Sequence, residues 1–172
     1  MKKLYLLRHA QASNPQGMDD RDRPLLEAGR QECKKMNSYL QENNIKPEVV
    51  LCSDAVRTMQ TANFVIPRVF STEKTEDDVI QITPNKKLYL ATPGEIIKEI
   101  SKIDDEVNSI MVVAHNPGIQ QLAVILAGSG NAEFINEIRI GYPTCALTEF
   151  SFDINNWKKI EPRSGVLESF VV

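Results

Sequence analysis

A run of apolar residues that breaks off at two basic ones constrains this chain more than any other feature: Leu4-Tyr5-Leu6-Leu7-Arg8-His9-Ala10. Tyr5, Leu6 and Leu7 do not alternate with polar residues, so the segment reads as a fully buried strand. Strands buried on both faces belong to parallel sheets covered by helices. In open sheets of that kind, ligands sit beyond the carboxyl ends of the strands. The segment therefore delivers a guanidinium and an imidazole to a sheet edge, a pair able to bind a phosphate and attack it. A plainer reading, a strand that turns polar on reaching solvent, stands beside it with equal weight on this segment alone.

The rest of the chain repeats the alternation of strand and helix. A polar stretch from Gln11 to Pro24 carries the turn signals Asn14-Pro15 and Gln16-Gly17. From Leu26 to Glu42, apolar residues at Leu26, Cys33, Met36 and Leu40 fit one helix face, and Asn43-Asn44 ends it. Val49-Val50-Leu51-Cys52 reads as a second buried strand, with Ser53 capping a helix that runs to about Ile66 and stops at Pro67. Ser71 to Asp78 reads as a charged, solvated loop, Val79 to Ile82 as extended, and Leu88-Tyr89-Leu90 as a short element. Pro93 opens a helix through Ile97, Ile100 and Ile103. Ser109 to Ala114 is a third buried strand, ending at His115. Pro117 opens a helix with Ile119, Leu122, Ala123 and Leu126 on one face, closed by Gly128-Ser129-Gly130. Thr144 to Phe152 and Trp157 to Ile160 read as strands around an Asp153–Asn156 turn. Successive βα units predict a mainly parallel sheet with helices on both faces, a three-layer α/β/α fold in one domain spanning 1–172.

Composition narrows the function classes. The formal net charge of -3 supplies no basic field for nucleic acid. No run of 18 apolar residues is present to span a membrane. The basic-then-apolar start, Met1 to Leu7, is too short for a secretory leader once Arg8 interrupts it, so a cytoplasmic protein is expected. Cys33, Cys52 and Cys145 lie far apart in apolar contexts and read as buried, inert thiols. No zinc-type ligand spacing accompanies them, and no metal is expected.

The chain has two histidines, His9 and His115, and each directly follows a buried strand. One alone reads best as structural; two at equivalent strand ends point to a shared site. Arg57 lies in the first turns of the helix after the second strand. Arg23 ends the charge run Asp19-Asp20-Arg21-Asp22-Arg23, which on its own reads as a solvated surface network. Phosphoryl transfer asks mainly for positioning and charge stabilisation, and the arginine fork matches phosphate oxygens. A neutral imidazole is a competent nucleophile near pH 7, a second can donate to a phosphoryl oxygen, and helix N-termini add N–H groups.

These residues resemble a known family. Leu7-Arg8-His9-Ala10 resembles the defining motif of the histidine phosphatase superfamily, the phosphoglycerate-mutase-like proteins. Ser53 to Ala62, with Arg57 and the Thr61-Ala62 pair, is similar to its second motif, and Val113 to Pro117 to its third. Arg23-Pro24-Leu25 with Gly29 resembles an element of the small SixA branch of phosphohistidine phosphatases. Leu88-Tyr89, Gly141 to Leu147 and Trp157 fit that branch too. The resemblance implies His9 as the nucleophile that becomes phosphohistidine. Arg8, Arg57 and His115 then form the phosphate pocket, with Arg23 as the branch's addition. It implies no cofactor, a phosphorylated protein or small phosphorylated molecule as partner, and inorganic phosphate as product.

Two departures stand out. Leu26 occupies a position where members often carry a capping Ser or Thr, so the first helix starts differently or loses about 1 kcal/mol. Larger esterase members take a general acid from between the second and third motifs. Glu95, the nearest candidate here, reads better as a first-turn carboxylate favoured by the helix dipole. An alkoxide needs such an acid more than the imidazole leaving group of phosphohistidine does. Little chain is left between these motifs for a lid, which leaves the pocket open to a protein surface. The expected activity is removal of phosphate from phosphohistidine in proteins. Two alternatives stand: a phosphatase for small phosphomonoesters or phosphoserine, and a non-catalytic phosphate-binding module.

Overall fold

The computed structural model describes residues 1–66, 80 and 82–172. The elements are β1 Lys2–Arg8, α1 Glu27–Glu42, β2 Val49–Ser53, α2 Val56–Val65, β3 Ile82–Asn85, α3 Pro93–Ile100, β4 Ser109–Ala114, α4 Gly118–Leu126, β5 Ala127–Gly130, α5 Ala132–Ile140, β6 Leu147–Phe152 and β7 Gly165–Val171. Among the described residues, seven strands form one sheet in the order β3-β2-β4-β1-β6-β7-β5. The pairs β1–β4, β2–β4, β2–β3 and β5–β7 are parallel, while β6 runs antiparallel to both β1 and β7. The fold is the mainly parallel three-layer α/β/α arrangement expected.

The two faces divide the strand residues by parity. Leu4, Leu6, Ile110 and Val112 pack on the side of α3, α4 and α5. Tyr5, Leu7, Met111 and Val113 pack with Cys33, Met36 and Leu40 of α1 and Ala62 and Val65 of α2. Both faces of β1 and β4 are thus covered, which is why those segments are continuously apolar. α1 begins at Glu27 with no side-chain cap at Leu26; instead the Leu26 N–H donates to the Gln11 carbonyl at 3.0 Å. A Cβ on Gly29 would lie 2.1 Å from that same carbonyl, so only glycine lets the helix approach it.

Several expectations are corrected. Ser53 does not cap α2; it is the last residue of β2, fully buried, and Ala55 precedes the helix without a side-chain bond. Gly128-Ser129-Gly130 does not close α4 but forms edge strand β5, where a Cβ on Gly128 would meet the Arg163 carbonyl at 1.8 Å. Trp157 to Ile160 is not a strand. Trp157–Lys159 is a single 3-10 turn, capped by Asn156, that buries the indole while its N–H donates to Val107 at 2.8 Å. Besides β1, the antiparallel partner of β6 is β7, and β7 and α5 were not anticipated. The short element read at Leu88-Tyr89-Leu90 is a 3-10 turn lying two residues earlier, at Lys86–Leu88. The helix opened by Pro93 ends at Ile100, three residues short of Ile103. Pro67 as helix stop, the charged loop 71–78, and Val79 and Gln81 lie outside the described residues; Ile82 begins β3.

Candidate active site

Strand register assembles the first wall of the site. Arg8 pairs with Ala114 across β1 and β4, so the next residues, His9 and His115, emerge side by side. Cys52 pairs with Val113 across β2 and β4, which brings Ser53 alongside. The His9 N–H donates to the Ala114 carbonyl at 3.1 Å, and the Cys145 N–H donates to the His9 carbonyl at 3.2 Å. The two imidazole centroids stand 5.2 Å apart.

Motif residues without obvious chemistry fix this wall. Thr61 Oγ1 accepts the Ala10 N–H at 3.0 Å and donates to the Arg57 carbonyl at 2.7 Å, locking α2 to the turn after β1. Ala62 is fully buried beside it, where a larger side chain has no room. Gln60 accepts the Leu25 N–H at 2.8 Å. The Tyr142 carbonyl accepts from Arg8 Nη1 at 2.7 Å and from Asn116 Nδ2 at 3.1 Å, which explains the Gly141 to Thr144 segment as a rest for the Arg8 side chain.

Hydrogen-bond logic fixes both tautomers. His9 Nδ1 lies 2.8 Å from the Ala10 carbonyl, which only accepts, so Nδ1 carries the proton and Nε2 keeps its lone pair. Arg57 Nη2 lies 3.3 Å from His115 Nδ1 and only donates, so Nδ1 accepts. His115 Nε2–H then donates to Ser53 Oγ at 2.7 Å. Burial pushes His9 down to about 4, and the charges of Arg57, Arg8 and Arg23 act in the same direction against the Ala10 bond. Burial, then His9 and Arg57, push His115 down to about 3, with Asp20 opposing. Both rings are neutral at pH 7, and His9 presents a free nitrogen among three guanidinium groups. That is the state a nucleophile requires.

The second wall comes from loops. Arg57, only 3% exposed, donates from Nη1 to the Asp20 carbonyl and from Nη2 to Asp20 Oδ2 at 2.8 Å. Arg23 donates from Nε to the Ser13 carbonyl at 2.6 Å and from Nη1 to Asp20 Oδ1 at 2.8 Å. The Tyr89 hydroxyl donates to Asp20 Oδ2, its ring meets His115 edge-on at 5.4 Å, and Arg21 stacks over it at 4.2 Å. The structure therefore brings Arg8, His9, Arg57 and His115 together and adds Arg23 through Asp20. Asp20 and Ser53 were missed as site residues. The first was hidden in a charge run, the second read as a cap.

Glu95 stands elsewhere. Its carboxylate accepts from both the Thr92 N–H and hydroxyl at 2.8 Å, and Thr92 caps α3 in return. Those bonds hold it below the usual carboxylate range, the condition opposite to that of a general acid at pH 7. Among the described residues, no group of three or more His, Cys, Asp or Glu is placed to hold a metal ion.

Comparison with known proteins agrees with this geometry. The family model of the histidine phosphatase superfamily, branch 1, matches residues 4–80. An uncharacterized protein of Mycobacterium leprae is 32% identical over 171 residues, covering 96% of this chain and 99% of the relative. A solved structure assigned as the phosphohistidine phosphatase SixA of Agrobacterium tumefaciens superposes with a TM-score of 0.79 at 26% identity, covering 99% of this chain and 97% of that one. One assigned likewise from Nakamurella multipartitia gives 0.83 at 22% identity, over 99% and 95% of the two chains. The chain belongs to the histidine phosphatase superfamily and is a phosphatase of SixA-like fold.

Proposed function

We propose that the protein removes phosphate from phosphohistidine in proteins through a covalent phosphohistidine intermediate on His9. The observation that carries this reading is the neutral His9, its Nδ1 proton held by Ala10 and its Nε2 free among Arg8, Arg23 and Arg57. Nε2 attacks phosphorus, a P–N bond forms, and the P–N bond to the substrate imidazole breaks. The departing imidazole takes a proton from solvent. Water then attacks the phosphoryl group on His9, inorganic phosphate leaves, and the ring returns to its neutral state. The arginines bind the phosphoryl oxygens and neutralise their charge, so the reaction as drawn calls for no metal or cofactor. His115 takes up a proton from solvent as the phosphoryl dianion enters and then hydrogen-bonds one phosphoryl oxygen.

The leaving group follows from the carboxylates. Glu95 is spent on a helix cap and Asp20 is bonded on both oxygens well below its ordinary range. Neither of these two described carboxylates is free to donate a proton to an alkoxide leaving group, whereas imidazole departs without such a donor. Side chains of Asp20 and Arg21 are about two-fifths exposed, 44% and 41%, which supports access by a phosphorylated protein surface. Three buried free thiols suit a cytoplasmic setting. The experiment is a kcat/KM comparison of a phosphohistidine protein, a phosphoserine peptide and small phosphomonoesters. A clear preference for phosphohistidine is expected. Preference for an ester overturns the substrate assignment, and tight binding without turnover replaces catalysis by recognition.

A further inference from the structure

Among the described residues, Asp20 is the carboxylate that bonds the arginines of the phosphate-binding wall, and the chemistry above gives it no step. Its backbone carbonyl and both carboxylate oxygens are engaged. The carbonyl accepts from Arg57 Nη1, Oδ2 accepts from Arg57 Nη2 and from Tyr89, and Oδ1 accepts from Arg23. Arg57 is therefore gripped on both terminal nitrogens by one residue. Arg23 is gripped at two points as well, by Ser13 at Nε and by Asp20 at Nη1. Asp20 thus holds both terminal nitrogens of Arg57 and one of Arg23. Asp20 itself begins a 3-10 turn whose preceding residue, Asp19, accepts the Arg21 N–H at 2.9 Å. The carboxylate is thus delivered by a capped turn, not by a free loop.

Resting on the phosphatase reading, we propose that Asp20 is a positioning residue that sets the orientation of Arg57 and Arg23 toward the phosphoryl group, with Tyr89 fixing Asp20 in turn. A buried guanidinium also needs an anion when no substrate is bound, and Asp20 supplies it for Arg57. Asp20 bonds to neither Arg8 nor His9. Arg8 leans instead on the Tyr142 carbonyl. The rival assignment is a competitor, an internal anion that occupies the cradle and must be displaced.

Asp20→Asn separates the two. The variant keeps the size of the side chain and loses its charge. Positioning predicts that kcat/KM falls roughly 10–100-fold, mostly in kcat, and that inorganic phosphate binds at least about three-fold more weakly by calorimetry. The melting temperature falls by roughly 5–15 °C, because the buried Arg57 guanidinium loses its counter-ion, so kinetics are read below the onset of unfolding. In an Arg57→Lys background the further loss caused by Asp20→Asn shrinks below about three-fold, since the residue it acts through is already altered. Tyr89→Phe, which leaves Asp20 intact, lowers kcat/KM about 2–5-fold and serves if Asp20→Asn fails to fold. Tighter phosphate binding with undiminished kcat/KM overturns the proposal in favour of the competitor. Equal losses in both backgrounds, or no loss in either, also overturn it. Phosphate binding does not depend on the substrate class, so a wild-type protein that prefers an ester refutes the substrate assignment and leaves this test standing.

Discussion

The two walls of the site are built by different physics. His9, His115 and Ser53 come from three neighbouring strands whose register is set by a core packed on both faces. Their positions are consequences of hydrophobic burial and ladder hydrogen bonds. Arg23, Arg21, Asp20 and Tyr89 come from loops and are placed by charge-assisted bonds among themselves, at the edge of solvent. The first wall holds the reacting nitrogen, and the second shapes the charge around it. Arg57 belongs to both, buried like the first and paired like the second.

The comparison orders the expected losses. His9→Ala removes the attacking nitrogen and should lower kcat by roughly 10⁴-fold or more with the fold retained, checked by steady-state kinetics and circular dichroism. Arg57→Ala withdraws charge stabilisation from a dry position and should cost roughly 10²–10³-fold in kcat. Ser53→Ala frees the His115 tautomer. One lost hydrogen bond corresponds to roughly ten-fold in kcat/KM. Arg21→Ala touches only the outer wall, through a half-exposed pair with Asp54 and the Tyr89 stack, and should change kcat/KM by about two-fold. An Arg21 effect equal to that of Ser53 would erase the distinction between the walls.

The inner wall also predicts a pH response. His9 and His115 titrate in the folded protein at about 4 and about 3, below the ordinary histidine value of about 6.5. Between those limits the unfolded chain binds more protons, so folding stability rises with pH there. Stability is intact above about pH 6.5 and falls as the pH drops toward the folded values. Chemical denaturation across that window should show the decline, and His115→Gln should make it shallower.

Legibility in the sequence follows the same division. β1, β2 and β4 are continuous apolar runs, and a run buried on both faces has few alternatives, so their ends and the histidines beyond them could be read directly. Asp20 could not, because five consecutive charged residues look like a solvated surface until α2 supplies Arg57 from 37 residues away. Ser53 was misread because a serine before a helix is usually its cap, and tertiary contact with His115 overrode that local preference. Trp157 shows a similar override, since burying one indole with its N–H on Val107 decided a turn where apolar content suggested a strand. The Phe134, Ile135 and Ile138 spacing of α5 carries a short helical signal.

The central claim, that His9 is the atom-accepting group, is tested most directly by trapping. Mixing the protein with a phosphohistidine protein, quenching in base within the first turnover and mapping the modified peptide by mass spectrometry should place a phosphoryl group on His9. That linkage should survive base and be lost in acid. A turnover-competent protein that carries no phosphoryl group on His9, or carries it on another residue, would contradict the account.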